Sequence, residues 1–134
     1  MDIFKFHLYS LCYFSNYQKE NHMFIAVYRF QIHAGMEADF IHAWKVRTEG
    51  IYLLLGSLGS RLHKDTKTGD YIGYAQWPTQ ELWENAQFDR LNTDNYPDYK
   101  KAGEMMKKTI QHSETILELE VEADYLHKFP FAFV

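Results

Sequence analysis

His42 and Asp39 are the pair of side chains in this sequence best spaced for acid–base chemistry. They are three residues apart in a segment with helical periodicity, so the carboxylate could orient the imidazole as a general base. Pairs with this spacing are more often solvent-facing contacts along a helix. Both interpretations stay open, and His42 is counted among the candidate substrate-binding residues.

Other side chains that commonly bind metals or phosphates do not form a site pattern. The seven histidines lack ligand spacing, and Cys12 is the only cysteine, so we predict no metal and no disulfide framework. Gly56, Gly59 and Gly69 do not belong to a phosphate-binding loop, because neither a GxGxxG nor a Walker pattern occurs.

The composition predicts one folded domain that contacts neither nucleic acid nor a membrane. The chain has 134 residues, 46% of them hydrophobic, which is enough to form a core. Its net charge of −4 argues against nucleic-acid and anionic membrane partners. No apolar run is long enough to cross a bilayer, and the single cysteine fits a reducing cytoplasm.

The first 22 residues differ from the rest of the chain. Their apolar part is interrupted by Lys5, His7 and Ser10 and precedes no small-residue cleavage site, so we reject a signal peptide. We predict an N-terminal extension over residues 1–22, a domain over 23–124, and an aromatic tail over 125–134 that docks on the domain or on a partner subunit. For residues 1–22 the alternative is an added strand or helix packed on the domain.

The stretch 58–83 organises the predicted fold. Residues 58–64 and 71–77 read as the strands of a hairpin, and Gly69 lies in its turn where a positive φ is expected. Pro78 ends the second strand, and Thr79 is placed to cap a helix over 79–89.

The remaining elements complete a ferredoxin-like order. We predict a first strand over 24–33, helices over about 36–55 and 97–111, and a last strand over 114–123. A bend is expected at Gly50. In the helix after the hairpin, Leu82, Trp83 and Ala86 are expected to be buried. The order β-α-β-β-α-α-β is typical of an α+β domain with an antiparallel sheet.

Alternation along the strands assigns their side chains to two faces of the sheet. The face expected to lie under the helices carries Tyr28, Phe30, Ser60, Leu62, Ala75, Trp77, Leu117 and Leu119. The opposite face mixes aliphatic side chains with both signs of charge and predicts a homodimer packed sheet to sheet. Its predicted interface residues are Arg29, Arg61, His63, Tyr74, Glu118 and Glu120. A solvated face in a monomer is the alternative.

Several short motifs, in this order, resemble the antibiotic biosynthesis monooxygenase superfamily over about residues 23–121. They are YRF at 28–30, AGMEADFIHAW at 34–44, GSLGSRLH at 56–63 and YIGYAQWPT at 71–79. The resemblance implies a dimeric α/β barrel of two ferredoxin-like protomers. Characterised members of this family oxidise polycyclic phenols with O₂ without metal or flavin, degrade haem, or handle small signalling molecules, and many others have no assigned substrate.

Two departures from the family pattern bear on activity. Trp77 matches the tryptophan that closes the third strand in the quinone-forming members, but Gly73 replaces the asparagine usual four residues earlier. In haem-degrading members an asparagine precedes the first-strand arginine, and Tyr28 stands at that position here. The resemblance therefore disfavours haem breakdown.

The resemblance places a cavity between the helices and the sheet. Cofactor-free oxygenation requires an apolar pocket and a hydrogen-bond donor for developing negative charge. Candidate catalytic residues are Tyr28, Ser60 and Trp77, and candidate substrate-binding residues are Phe30, Trp44, Trp83 and His42. This predicts a cofactor-independent monooxygenase acting on a small aromatic or phenolic substrate. The alternatives are an ordinary aromatic core at these positions and a non-catalytic ligand-binding or stress-response barrel.

Overall fold

A computed structural model describes residues 22–126 of the chain. Strand β1 spans Phe24–Ile32, and helix α1 spans Glu37–Leu55. Glu37 and Asp39 lie in the first turn of α1, where acidic side chains favour the helix dipole. Gly56 ends the helix in the left-handed region at φ 91°, which glycine adopts without steric cost.

The predicted hairpin is present. Strands β2 (Gly59–Lys64) and β3 (Tyr71–Trp77) pair antiparallel, with Ser60 opposite Ala75. In the turn, the Asp65 carboxylate accepts the backbone N–H of Lys67 at 2.9 Å, and Gly69 has the expected positive φ of 80°.

The helix after the hairpin is shorter than predicted. Helix α2 spans Gln80–Glu84, and a separate 3₁₀ helix spans Phe88–Asn92. Thr79 caps α2 by accepting the N–H of Leu82 at 3.1 Å. Leu82, predicted to be buried, is 46% exposed, because this one-and-a-half-turn helix packs on the sheet through Trp83.

Helix α3 (Pro97–Thr109) runs directly into strand β4 (Ile110–Glu120), so the strand begins four residues earlier than predicted. Thr109 is buried and its hydroxyl donates to the carbonyls of Met105 and Met106, which closes the last helical turn. Ile110 then pairs with Ile32 at the end of β1, and this pairing extends the sheet.

The four strands form one antiparallel sheet in the order β2-β3-β1-β4. This is the arrangement of a split β-α-β unit, with the two central strands non-consecutive in the chain. The predicted ferredoxin-like α+β fold is confirmed.

The core lies on the helix side of the central strands. Phe24 and Trp77 face each other across β1 and β3, and Ala26 and Ala75 form the next pair. Side chains from the helical elements and from the link after α2 pack against these four: Ile51, Leu55, Trp83, Ala86 and Phe88. Gly50, where a bend was expected, lies within α1 against the Tyr99 ring of α3, and a Cβ there would come within 2.9 Å of that ring.

The predicted faces of β4 are wrong at its C-terminal end. Glu118 and Glu120 lie opposite Ala26 and Phe24, so they share the helix side of the sheet. The register shifts between Val27 and Tyr28, where β4 passes Ile116 without a partner, and Leu117 and Leu119 thereby reach the outer face. They are 50% and 41% exposed there. Glu118 and Glu120 are therefore not outer-face residues.

The chain ends beyond the sheet were predicted to be an extension and a docked tail. Residues 1–21 and 127–134 lie outside the described part of the chain, so those predictions are not decided there. Val121 donates its N–H to the Met23 carbonyl at 2.9 Å. Tyr125, inside the predicted tail, is 98% exposed.

Candidate active site

A cavity of about 620 Å³ lies between the helix side of the sheet and the helical elements. Most of its wall is aromatic or aliphatic. Six of the seven side chains predicted for catalysis or substrate binding line it: Tyr28, Phe30, Trp44, Ser60, Trp77 and Trp83. Sequence reasoning missed other lining residues, among them Arg47, Thr48, Ile51, Glu84, Phe88 and Met106.

Tyr28 on β1 presents a hydroxyl that is already oriented. Its oxygen accepts the indole N–H of Trp83 at 2.6 Å, which leaves the phenolic O–H available to donate. Burial raises the pKa of Tyr28; the Trp83 hydrogen bond opposes this rise, and the negative charge of Glu118 adds to it. The hydroxyl therefore stays protonated at neutral pH, as a hydrogen-bond donor must.

Trp77 at the end of β3 carries an unpaired buried donor. The side chain is 1% exposed, and its indole N–H has no hydrogen-bond partner among the described residues. Its ring meets Phe88 edge to face at a centroid distance of 6.3 Å. Buried N–H groups without acceptors are rare because each costs about 1–3 kcal/mol. The Trp77 ring forms part of the cavity wall, but its Nε1 is itself closed to water, so a ligand acceptor could reach this donor only after neighbouring side chains move.

Gly73 makes room for aromatic rings. A Cβ at this position would lie 3.0 Å from the Phe30 ring and 3.6 Å from the Tyr28 ring. The Cβ of the asparagine that the resemblance led us to expect here would crowd the Phe30 ring and be in ordinary contact with the Tyr28 ring. The departure at Gly73 therefore exchanges a polar side chain for close aromatic packing along β1 and β3.

Arg47 brings a positive charge to the cavity. It follows Trp44 by three residues and precedes Ile51 by four, so the helical period places all three on one face of α1. This spacing is the signal in the sequence that could have placed Arg47 at the site. Burial lowers the pKa of the guanidinium.

His42 does not line this cavity. It is two residues from Trp44, about 200° around the helix axis, and borders a groove of about 710 Å³ between α1 and α3. Its predicted role beside the aromatic residues therefore does not fit its position. Within residues 22–126 no three histidine, cysteine or acidic side chains are gathered as a metal site.

The other predicted interface residues lie on the outer face. Arg61 pairs with Tyr74, and His63 and Arg29 both lie opposite Ile72. The rings of His63 and Tyr74 are edge to face at a centroid distance of 6.4 Å. In the described part of the chain no helix has the length and apolar character needed to cross a bilayer.

Comparison with known proteins gives a match in structure and none in sequence. No protein-family model and no curated protein match the chain. A variant of SnoaB, a cofactor-independent oxygenase from Streptomyces nogalater, superposes with a TM-score of 0.57 over 79% of this chain and 99% of that one, at 15% identity. A candidate antibiotic biosynthesis monooxygenase from Caulobacter crescentus gives a TM-score of 0.52 over 81% and 98%, at 16% identity.

A third structure, Rv0793 from Mycobacterium tuberculosis, gives a TM-score of 0.56 over 78% of this chain and 99% of that one, at 8% identity. The chain shares the fold of these proteins. The ferredoxin-like fold of the protomer that the sequence motifs implied is thereby confirmed. At these identities the likeness establishes architecture, and the chemistry has to be argued from the cavity.

Proposed function

We propose that this protein is a cofactor-independent monooxygenase of the antibiotic biosynthesis monooxygenase type, acting on a small phenolic substrate. The observation that carries the proposal is an apolar, largely aromatic cavity in which Trp83 orients the Tyr28 hydroxyl. The buried, unpaired indole N–H of Trp77 lies behind the wall of this cavity as a second donor. Two donors in a largely apolar space suit a substrate on which negative charge develops.

The reaction class follows from that pairing. A hydroxyarene and O₂ give a quinone and water, so one oxygen atom enters the ring and the other leaves as water. The phenolate supplies the electrons, and negative charge passes to oxygen as the carbon–oxygen bond forms. In this proposal the Tyr28 and Trp77 donors stabilise that charge, and Ser60 is a third donor. The rings of Phe30, Trp44 and Trp83 hold the substrate plane and exclude water.

A homodimer belongs to the same proposal. The outer face presents Leu117 and Leu119, which are 50% and 41% exposed. They lie opposite Val27 and Ile25 on the neighbouring strand, and both of these are buried. Packing this face on a second copy would remove Leu117 and Leu119 from water, with Arg29, Arg61, His63 and Tyr74 around them. Glu118 and Glu120 are left out, because they lie on the helix side. The single cysteine fits a cytoplasmic location.

Oxygen uptake tests the activity. Purified protein is mixed with phenols and dihydroxynaphthalenes without added metal or flavin, and O₂ consumption is recorded with an electrode. Turnover of at least one compound is expected, reduced about 100-fold in Tyr28→Phe and in Trp77→Phe. Tyr99→Phe, which removes a hydroxyl from the groove between α1 and α3, serves as the control and should keep full turnover.

A non-catalytic ligand-binding barrel is the second candidate. Gly73 favours it, because the side chain that supplies a donor in the quinone-forming members is missing here. Stoichiometric binding of the same phenols without any oxygen consumption would establish this candidate and exclude the monooxygenase.

A further inference from the structure

Arg47 donates every hydrogen bond recorded for its guanidinium to neutral groups. Its Nη1 donates to the carbonyls of Leu91 at 3.3 Å and Tyr99 at 3.0 Å, and its Nη2 donates to the Phe88 carbonyl at 3.1 Å. Backbone carbonyls satisfy N–H donors but do not cancel a full charge. Among residues 22–126 the one ion pair within 4 Å joins Lys100 to Asp94, so no carboxylate neutralises Arg47.

The surrounding chain makes room for this cation. A Cβ at position 103 would lie 2.9 Å from Nη1 of Arg47, so glycine at this point of α3 allows the guanidinium to pack closely. The side chain is partly buried, and it lines a cavity whose other walls are mainly apolar. A partly desolvated charge without a counter-charge is unfavourable, and an anion entering the same space would relieve that cost.

Glu84 is the one carboxylate lining the cavity, and it does not serve as the counter-charge. It is exposed, and its Oε1 accepts the amide N–H of Gln80 at 3.0 Å on the surface of α2. Water screens an exposed carboxylate strongly, so its repulsion of an incoming anion is weak compared with the attraction of a partly buried guanidinium.

We infer that the ligand of this cavity is an aromatic anion, ionised at neutral pH, whose negative group is neutralised by Arg47. The aromatic body of this ligand lies among the rings of the cavity, and its acidic group reaches the guanidinium. The inference rests on the proposed function, since it names the substrate class of that site. It excludes neutral hydrocarbons and simple alcohols as preferred ligands.

Matched probes of equal shape test the charge. The affinities of 2-naphthoate and its neutral isostere 2-naphthamide are measured by calorimetry at pH 7. The wild-type protein is expected to prefer the carboxylate by about tenfold, and Arg47→Gln to lose that preference while its affinity for the amide changes less than about twofold. Lys107→Gln also removes one positive charge, but from an exposed position of α3 outside the cavity, and should retain the preference.

Loss of affinity for both probes together in folded Arg47→Gln would show that the arginine only packs, and would overturn the inference. Equal affinity of the wild-type protein for the two probes, or binding of neither, would overturn it as well. If Arg47→Gln does not fold, Arg47→Met, which fills the same space without a charge, decides by the same pair of probes: the preference for naphthoate should be lost, and a retained preference would overturn the inference. No step uses oxygen, so the absence of turnover does not affect the outcome.

Discussion

Two concave spaces of similar size flank helix α1, and they differ in how their polar groups are satisfied. The groove between α1 and α3 measures about 710 Å³, and the cavity over the sheet about 620 Å³. In the groove, the Tyr99 hydroxyl donates to Glu49 at 3.3 Å, and the rings of Tyr96 and Tyr99 stack at a centroid distance of 6.1 Å. In the cavity, the indole N–H of Trp77 has no partner in the described residues.

The difference shows that volume alone does not identify a binding site. In the groove most polar side chains reach water, and the half-buried Tyr99 hydroxyl has Glu49 as its acceptor, so nothing there requires a ligand. The cavity combines apolar walls with the Trp77 donor, the Tyr28 hydroxyl and the uncompensated charge of Arg47. Each of these groups becomes more stable when a suitable ligand enters.

The largest expected effect is a difference in unfolding free energy between a variant in the cavity wall and a variant at the border of the groove. Trp77→Ala removes a fully buried ring from the core beside Phe24 and should lower the free energy of unfolding by about 3–5 kcal/mol. His42→Ala, on the exposed border of the groove, should change it by less than about 0.5 kcal/mol. Urea titration followed by circular dichroism measures both. A change below about 1 kcal/mol for Trp77→Ala would mean that the cavity wall does not belong to the core.

Sequence alternation predicted the central strands and misplaced the edge strand for one physical reason. β3 has one face covered by helices, so its buried residues recur every second position, at Tyr71, Gly73, Ala75 and Trp77. In the central strand β1 the four residues from Phe24 to Val27 are all buried. β4 is exposed along nearly its whole length, and its leucines and glutamates carry no strong preference for a face. The register shifts at Ile116, and no feature of the side chains there predicts this shift. It therefore exchanged the two faces that alternation had assigned to residues 117–120.

For the candidate site, residue type predicted the aromatic walls of the cavity. The hydrogen-bond partners of its polar side chains depend on tertiary contacts, which residue type does not predict. The resemblance supplied the cavity, alternation and helical period assigned side chains to it, and six of those residues line it. Arg47 escaped notice because its acceptors are backbone carbonyls of Phe88, Leu91 and Tyr99, 41 to 52 residues away in the chain, and carbonyls have no sequence signature. The hydrogen bond from Trp83 to Tyr28 likewise depends on where the five-residue α2 packs.

Gly50 tests the structural character of the groove. An alanine in a helix normally stabilises it by about 0.5–1 kcal/mol over glycine. Here the added Cβ would meet the Tyr99 ring at 2.9 Å, so we expect Gly50→Ala to destabilise the protein by about 1–3 kcal/mol despite its helix propensity. The thermal midpoint in calorimetry measures this. The affinity of the cavity for its ligand should be unchanged. If Gly50→Ala instead stabilised the protein, α1 and α3 would not be in close contact at this point.

Trp83→Phe probes the cavity with a smaller effect. In the wild-type protein the centroids of the Trp83 and Phe24 rings are 5.0 Å apart. The variant keeps a ring that can pack on Phe24, but it loses the N–H that orients the Tyr28 hydroxyl. One lost hydrogen bond predicts a fall in turnover or ligand affinity of about three- to tenfold. Tyr99→Phe removes the corresponding hydrogen bond to Glu49 in the groove and should leave both quantities unchanged. Equal effects of the two variants would remove the distinction between the spaces.

The smallest expected effect is on stability at alkaline pH. The folded state raises the pKa of Tyr28 above its ordinary value of 10.0, first through burial, so the folded protein holds this proton more tightly than the unfolded chain does. The associated stability is fully present below pH 10 and is lost as the pH rises through the higher pKa of the folded state. Urea unfolding between pH 8 and 11 should therefore show a declining free energy above pH 10.

Tyr28→Phe should make the fall of the unfolding free energy with pH less steep. The change in this slope should be smaller than the slope that one full proton would give. Tyr99 in the groove also has a raised pKa, through desolvation and the nearby Glu49, but it lies at the surface, where water screens the interaction. Tyr99→Phe should consequently alter the alkaline decline less than Tyr28→Phe does. The reverse order would show that the Tyr28 hydroxyl is as accessible to water as the groove, and would remove the reason for treating it as a donor in a protected cavity.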